Sequence, residues 1–251
     1  MVSKSVKGSG NGSIYKGLSN LKGSRLIKKL DEIDKSLQNA VSANDFPGFS
    51  SLLNEFRNGK LLKTDKKDVK RLLGCCCMEI LRLNKGLDLS DECSYDFIRL
   101  ILSCLHCLEN PSPSFDCSRY MKIYNELTES VLIRILVSVD RSCELSLDLL
   151  NVIFSLLNSS ASSDMVDRST RLLLSLFDLY KHIPGELLDV LLMKVLDREC
   201  VRVVKNVLAS RKSKFSGDIQ QFCMNLLCGS SSEESCYESG GHVGVWCVVD
   251  V

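Results

Sequence analysis

The chain has 251 residues and is almost neutral, with 32 Lys and Arg against 31 Asp and Glu, so no global field argues for nucleic acid or for a strongly charged partner. Leucine dominates the apolar positions and aromatics make up only 6% of the chain, a balance that favours helices over sheet. The 13 cysteines cannot all pair within one chain, and Met1–Ser13 is Gly, Ser and Lys with no apolar signal core. The expectation is a soluble intracellular protein in a reducing compartment, with cysteine serving as a small buried apolar residue. No membrane partner is expected, because no stretch approaches the ~20 apolar residues of a spanning helix.

Residues 1–23 read as a disordered basic tail, since Lys7-Gly8-Ser9-Gly10-Asn11-Gly12-Ser13 cannot bury enough to offset its ordering entropy. Helical periodicity begins at Arg25 and runs through Leu26, Ile27, Leu30, Ile33, Leu37 and Val41. Asn44-Asp45-Phe46-Pro47 reads as a cap with proline in the first turn of the next helix, which carries Phe49, Leu52, Leu53 and Phe56 and stops at Asn58-Gly59. Lys66–Leu83 is a third helix, and Ser90-Asp91-Glu92 starts a fourth that runs to about Leu108. Glu109-Asn110-Pro111-Ser112-Pro113 is a loop. One long helix is expected over 119–139, with Tyr120, Tyr124, Leu127, Val131, Ile135 and Val139 in register. A helix at 143–158 is apolar on nearly all sides, and Ser159–Ser163 is a polar linker. Helices at 164–181, 185–196, 197–210 and 216–228 complete the series.

No segment alternates with period two between turn signals. The reading is an all-α, HEAT-like helical-repeat solenoid over 24–228, with about ten helices in about five antiparallel pairs. A compact helical bundle is the alternative. Residues 229–251 form a linker and an irregular tail that holds the single Trp246, and the array is expected to be cut off there.

Asp68-Val69-Lys70-Arg71-Leu72-Leu73-Gly74-Cys75-Cys76-Cys77-Met78-Glu79-Ile80-Leu81-Arg82-Leu83 resembles a helix of the sister-chromatid cohesion regulators of the Pds-five family. Ser112-Pro113-Ser114-Phe115 with Arg119-Tyr120, Glu144-Leu145 with Val152–Asn158, and Glu186–Leu192 fit the same family in order, across Lys66–Gln221. The resemblance implies a non-catalytic helical-repeat protein of the nucleus. It implies partners in the cohesin complex, through its kleisin subunit, and in cohesin release or protection factors. Where the family carries an Ala-Pro-acid-Ala-Pro docking segment, this chain reads Asn84-Lys85-Gly86-Leu87-Asp88-Leu89, without the prolines. The resemblance also implies that the kleisin docks along later repeats, so this chain alone is expected to bind cohesin poorly. Phe215–Cys228, with Phe222, Leu226 and Leu227, is expected to form an uncovered apolar end.

Chemistry-bearing motifs are sparse. Adjacent residues of a helix point about 100° apart, so Cys75-Cys76-Cys77 cannot converge on one ion. Cys104 and Cys107 share a helix face, with Cys93 and Cys117 as the remaining conceivable zinc ligands, but the apolar surroundings favour core packing. His106, His182 and His242 accompany no recognisable nucleophile motif, and Gly8-Ser9-Gly10-Asn11-Gly12 lacks the strand and the Lys of a phosphate loop. No enzyme activity, cofactor, metal or small-molecule substrate is expected.

Lys63, Lys66, Lys67, Lys70 and Arg71, with Arg57 and Lys60, form a basic cluster around one inter-helix loop. It reads either as a solvated face or as a candidate contact for nonspecific DNA. Arg198, Arg202, Lys205, Arg211, Lys212 and Lys214 form a second cluster open to the same two readings. The functional expectation is a scaffold regulating cohesin on chromatin; a cytoplasmic helical-repeat adaptor is the alternative. Far-UV circular dichroism of the chain should show a helical spectrum, and a substantial sheet contribution would overturn the fold reading.

Overall fold

The computed structural model describes residues 15–58, 60–84, 91–109, 117–129, 132–157 and 161–229. Among the described residues the α-helices are α1 Gly23–Asn39, α2 Phe49–Arg57, α3 Lys67–Leu83, α4 Asp91–Leu105, α5 Cys117–Glu129, α6 Leu132–Val139, α7 Glu144–Leu156, α8 Ser163–Asp178, α9 Gly185–Met193, α10 Val201–Ser210 and α11 Lys212–Gly229, with no strand. This is the expected all-α, helical-repeat class. The chain divides into two compact units at Leu145–Ser146, inside the first turn of α7. None of the described helices is long and apolar enough to cross a membrane.

Several boundaries differ from the sequence reading, each for a local reason. Val41, expected on the buried stripe, is 86% exposed, because α1 ends at Asn39 and Ala40 is already extended. Pro47 stands two residues ahead of α2 rather than in its first turn. Gly48, left-handed at φ 78°, is the N-cap instead. Asn44 and Asp45 belong to a short 3-10 turn, Ala43–Asp45, closed by a reciprocal capping box between Ser42 and Asp45. Residues 15–22, placed by composition in the tail, are packed: Tyr15 stacks on Phe46 at 5.7 Å, Leu18 is buried, and the Gly17 and Ser19 amides donate to Glu55 at 3.0 and 3.3 Å. The rest of the tail, the 85–90 segment, the 110–116 loop and residues 230–251 lie outside the described residues.

The long helix expected over 119–139 is described as two. Tyr120, Ile123, Tyr124 and Leu127 are buried on α5, whereas Leu132, Ile133, Leu136 and Val139 are buried on α6. On one straight helix turning 100° per residue, those two faces would stand about 160° apart. Ile135, in register with the first face, is only half-buried.

In the first unit, like helices of successive repeats lie side by side. α3 packs on α1 and α5 on α3, while α4 packs on α3 and α6 on α4. Bridging contacts recur at a near-constant offset: 46 residues from Leu30 to Cys76, 45 from Leu37 to Arg82, and 43 from Glu79 to Lys122. Asp31 and Arg119 are 88 apart, two such steps. These offsets match the roughly 40–47 residues of HEAT-type repeats. The second unit repeats the pattern, with α10 on α8 and α11 on α9. The Ile183 amide, just ahead of α9, donates to Asp218, and a side chain at Gly185 would meet Phe222, so the start of α9 lies against α11.

A ladder of charge ties α1, α3 and α5 together. Glu79 of α3 is fully buried, and its two carboxylate oxygens accept from Arg82 Nε at 2.6 Å and Lys122 Nζ of α5 at 2.8 Å. Arg82 then donates to the carbonyls of Leu37 and Ala40 at 3.1 and 3.0 Å, capping the C-terminus of α1 where the helix dipole is negative. Arg119 of α5 reaches past α3 to Asp31 at 3.0 Å and Asp34 at 3.2 Å on α1. Asp34 is also fully buried, and its Oδ1 has no hydrogen-bond partner.

α3 and α4 approach closely at Gly74. A Cβ there would stand 2.6 Å from the Leu100 carbonyl oxygen and 2.3 Å from Cys104 Sγ. Backbone cannot yield as a side-chain tip can, so Gly74→Ala must push the helices apart. The expected loss is about 1–3 kcal/mol in urea unfolding, and an unchanged midpoint would show that the helices separate freely.

Burial pushes the Asp34 carboxyl up to about 6, against the opposing pull of Arg119 and Gln38. Its folded value therefore lies above the ordinary 3.8. The stability associated with its protonated form is complete below about 3.8 and is lost as pH rises through about 6. Asp34→Asn should flatten the stability profile between those limits. Urea midpoints measured across that range in both proteins test this, and identical profiles would refute it.

Candidate functional site

The basic cluster predicted from sequence occupies the turn between α2 and α3 and the first turn of α3. Lys63 lies in the turn, Lys66 is the N-cap of α3 and Lys67 opens the helix, and all three are exposed. Arg57 and Lys60 are exposed on the approach to them. Lys66 supplies no side-chain cap, and the only acid in the first turn is Asp68. Cations at a helix N-terminus face the positive end of its dipole, an arrangement poor for helix stability but favourable for an incoming anion.

Lys70 and Arg71 differ from these lysines. Both are half-buried; Lys70 stands 3.9 Å from Asp65, and Arg71 stands 3.7 Å from Asp68. Arg71 Nε also donates to Cys107 Sγ at 3.2 Å. The structure thus separates an outward-facing set, Lys60, Lys63, Lys66 and Lys67, from two residues engaged within the fold. For Arg71 that distinction depends on Cys107, in the 3-10 turn that follows α4, and was not legible in the α3 sequence.

The second cluster divides in the same way. Arg198, Arg202, Lys205 and Lys212 are exposed. Arg211 forms a two-pronged pair with Asp178 at 2.9 and 2.8 Å, which holds the Asp178 carboxyl below its ordinary range. Lys214 donates to the carbonyls of Phe177 and Tyr180, both at 2.6 Å, and so caps the C-terminus of α8. It does for α8 what Arg82 does for α1.

Cysteines are mostly core. Cys75, Cys76, Cys77, Cys93, Cys104 and Cys200 are buried, and none of the cysteines whose side chains are described is in a disulfide. Burial pushes the Cys76 and Cys77 thiols well up. Among the described residues no group of His, Cys, Asp or Glu is arranged to hold a metal ion; the side chain of Cys117 lies outside them. His106 pairs with Glu109 at 2.8 Å, and His182 stands 3.5 Å from Asp218.

The apolar end expected at Phe215–Cys228 is corrected in part. Phe215 is buried against Phe177, with ring centroids 5.3 Å apart, so it belongs to the core. Phe222 is half-buried and Met224 is 51% exposed; the side chains of Leu226 and Leu227 lie outside the described residues.

The family model described as sister chromatid cohesion protein PDS5 matches residues 24–240. A solved structure reported for a Pds5–Scc1 complex and its implications for cohesin function is similar at a TM-score of 0.68 and 15% identity, covering 86% of this chain and 34% of that one. The chain therefore spans about a third of the length of that structure, and at this identity the likeness concerns the fold. No curated protein sequence matches the chain significantly. With the family model covering the helical array from α1 to beyond α11, the chain belongs to the PDS5 family of sister chromatid cohesion proteins.

Proposed function

We propose that this chain is a non-catalytic scaffold that regulates cohesin and sister chromatid cohesion on chromatin in the nucleus. The observation that carries the reading is the family match across residues 24–240, over helices that stack like upon like at the offset of a helical-repeat array. Stacked repeats generate extended surfaces for macromolecular partners rather than a closed pocket for small substrates. The partner of first choice is the kleisin subunit of cohesin, because the similar solved structure is reported for a complex with Scc1. Release and protection factors of cohesin are further partners under this reading.

The basic turn supplies a DNA contact in the same proposal. Lys63, Lys66 and Lys67 project at the N-terminus of α3, with Lys70 and Arg71 behind them. Such a face neutralises backbone phosphates without reading bases. Affinity purification followed by identification of co-purifying subunits tests the scaffold. Recovery of cohesin subunits supports it, and a cytoplasmic set of partners favours the adaptor reading.

For DNA, changing Lys63, Lys66, Lys67 and Lys70 together to Glu should weaken binding equally for unrelated duplexes. It should also reduce the slope of log affinity against log salt by about 0.9 for each phosphate that is no longer neutralised. Unchanged affinity and slope would return the cluster to a solvated face.

A further inference from the structure

Cys104-Leu105-His106-Cys107 is a Cys-x-x-Cys sequence at the end of α4. The helix passes there into a 3-10 turn, His106–Leu108. Residues three apart, whether in an α-helix or a 3-10 turn, lie on one face with Cα atoms about 5–6 Å apart, within the span of a disulfide. Arg71 of α3 contacts both sulfurs. Its carbonyl accepts from Cys104 Sγ at 3.2 Å, and its Nε donates to Cys107 Sγ at 3.2 Å. Cys104 is fully buried and also lies against Cys75, which with burial pushes its thiol well up. Cys107 is half-buried and so open to small reagents.

We propose that Cys104 and Cys107 are a thiol–disulfide redox couple, with Cys107 the attacking sulfur, Cys104 the resolving one and Arg71 positioning both. The oxidant is a hydroperoxide. Cys107 sulfur attacks the distal peroxide oxygen; an S–O bond forms, the O–O bond breaks, and the alkoxide leaves as the alcohol after taking a proton. Cys104 sulfur then attacks the Cys107 sulfenic acid. An S–S bond forms, the S–O bond breaks, and hydroxide departs with the Cys104 proton as water. Sulfur is oxidised and the peroxide reduced at each turn, and a dithiol reductant reverses the linkage. The guanidinium beside Cys107 stabilises negative charge gathering on an attacking sulfur. Cys75 lies against Cys104, but like Cys76 and Cys77 it is buried and lacks the access of an attacking sulfur.

Cys104 lies at the closest approach of α4 to α3, against Gly74, and Cys107 follows in the 3-10 turn. Oxidation withdraws the Cys104 thiol from the Arg71 carbonyl and the Cys107 sulfur from its guanidinium, so the thiol state is coupled to the seating of Arg71. This extends beyond the scaffold reading and does not depend on it.

The test is peroxide titration of the full reduced chain, followed by alkylation under denaturing conditions and peptide mass mapping. A Cys117→Ser background removes the third thiol of the tryptic segment. The expected product at limiting hydrogen peroxide is a Cys104–Cys107 disulfide, formed before oxidation of the other half-buried thiols, Cys143 and Cys223. Cys104→Ser should instead accumulate a sulfenic acid at Cys107, trapped by a carbon nucleophile such as dimedone, and Cys107→Ser should form no linkage. Arg71→Leu should slow Cys107 oxidation at least severalfold while leaving the rates at Cys143 and Cys223 unchanged. The mapping on the Cys117→Ser background needs neither core replacement and stands if Cys104→Ser fails to fold. Oxidation of Cys143 or Cys223 at or above the Cys107 rate, or oxidation of Cys107 without linkage to Cys104, overturns the proposal.

Discussion

The buried carboxylate of Glu79 sets the register of the first unit. An ionised side chain taken out of water is tolerated only when both oxygens find charged or polar donors. Arg82 and Lys122 provide them, and both must come to Glu79 rather than the reverse, since it alone of the three is fully buried. Arg82, so held, is aimed at the last carbonyls of α1, and Lys122 fixes α5 against α3. Shifting α3 by one residue along its axis would turn Glu79 by about 100° and leave all three groups unmatched. The close contact at Gly74 opposes the same slip sterically, and the ladder adds a polar constraint to it.

Around that ladder the packing explains the cysteine content. α3 is flanked by α1 on one side and α4 on the other, so most of its circumference is buried, from Leu73 to Leu81 without interruption. A helix enclosed in this way needs small apolar side chains where neighbours come closest. Gly74 occupies the tightest point, and Cys75, Cys76 and Cys77 fill the next positions. Cysteine is suited to such a place because it is slim, and its thiol can still donate weakly, as Cys76 does to the Leu30 carbonyl at 3.7 Å and Cys104 to that of Arg71.

The functional reading follows from what this internal wiring leaves outside. Cations that complete the fold, Arg82, Arg119, Arg211 and Lys214, end on carboxylates or helix-terminal carbonyls. Those at the α2–α3 turn end in solvent. A family of sister chromatid cohesion proteins gives such a surface a biological setting, and a repeat array gives it length.

The sequence by itself determined the helical class and the position of nearly every helix, because a 3.6-residue apolar period and its punctuation are local signals, and the ordered motifs from Asp68 to Leu192 carried the resemblance to the family. It also placed the basic turn and marked the Cys104/Cys107 spacing. It did not reveal that Tyr15, Gly17 and Ser19 are anchored, since their partners, Phe46 for the ring and Glu55 for the two amides, lie far along the chain. It joined α5 to α6, because periodicity counts apolar residues without registering which neighbour each face must meet. Above all, nothing in the sequence around Asp34, Glu79, Arg82, Arg119 and Lys122 marks them as a buried network. Only the stacking of α1, α3 and α5 decided that Asp34 and Glu79 are buried, because burial of a charge depends on partners brought by helices one and two repeats away.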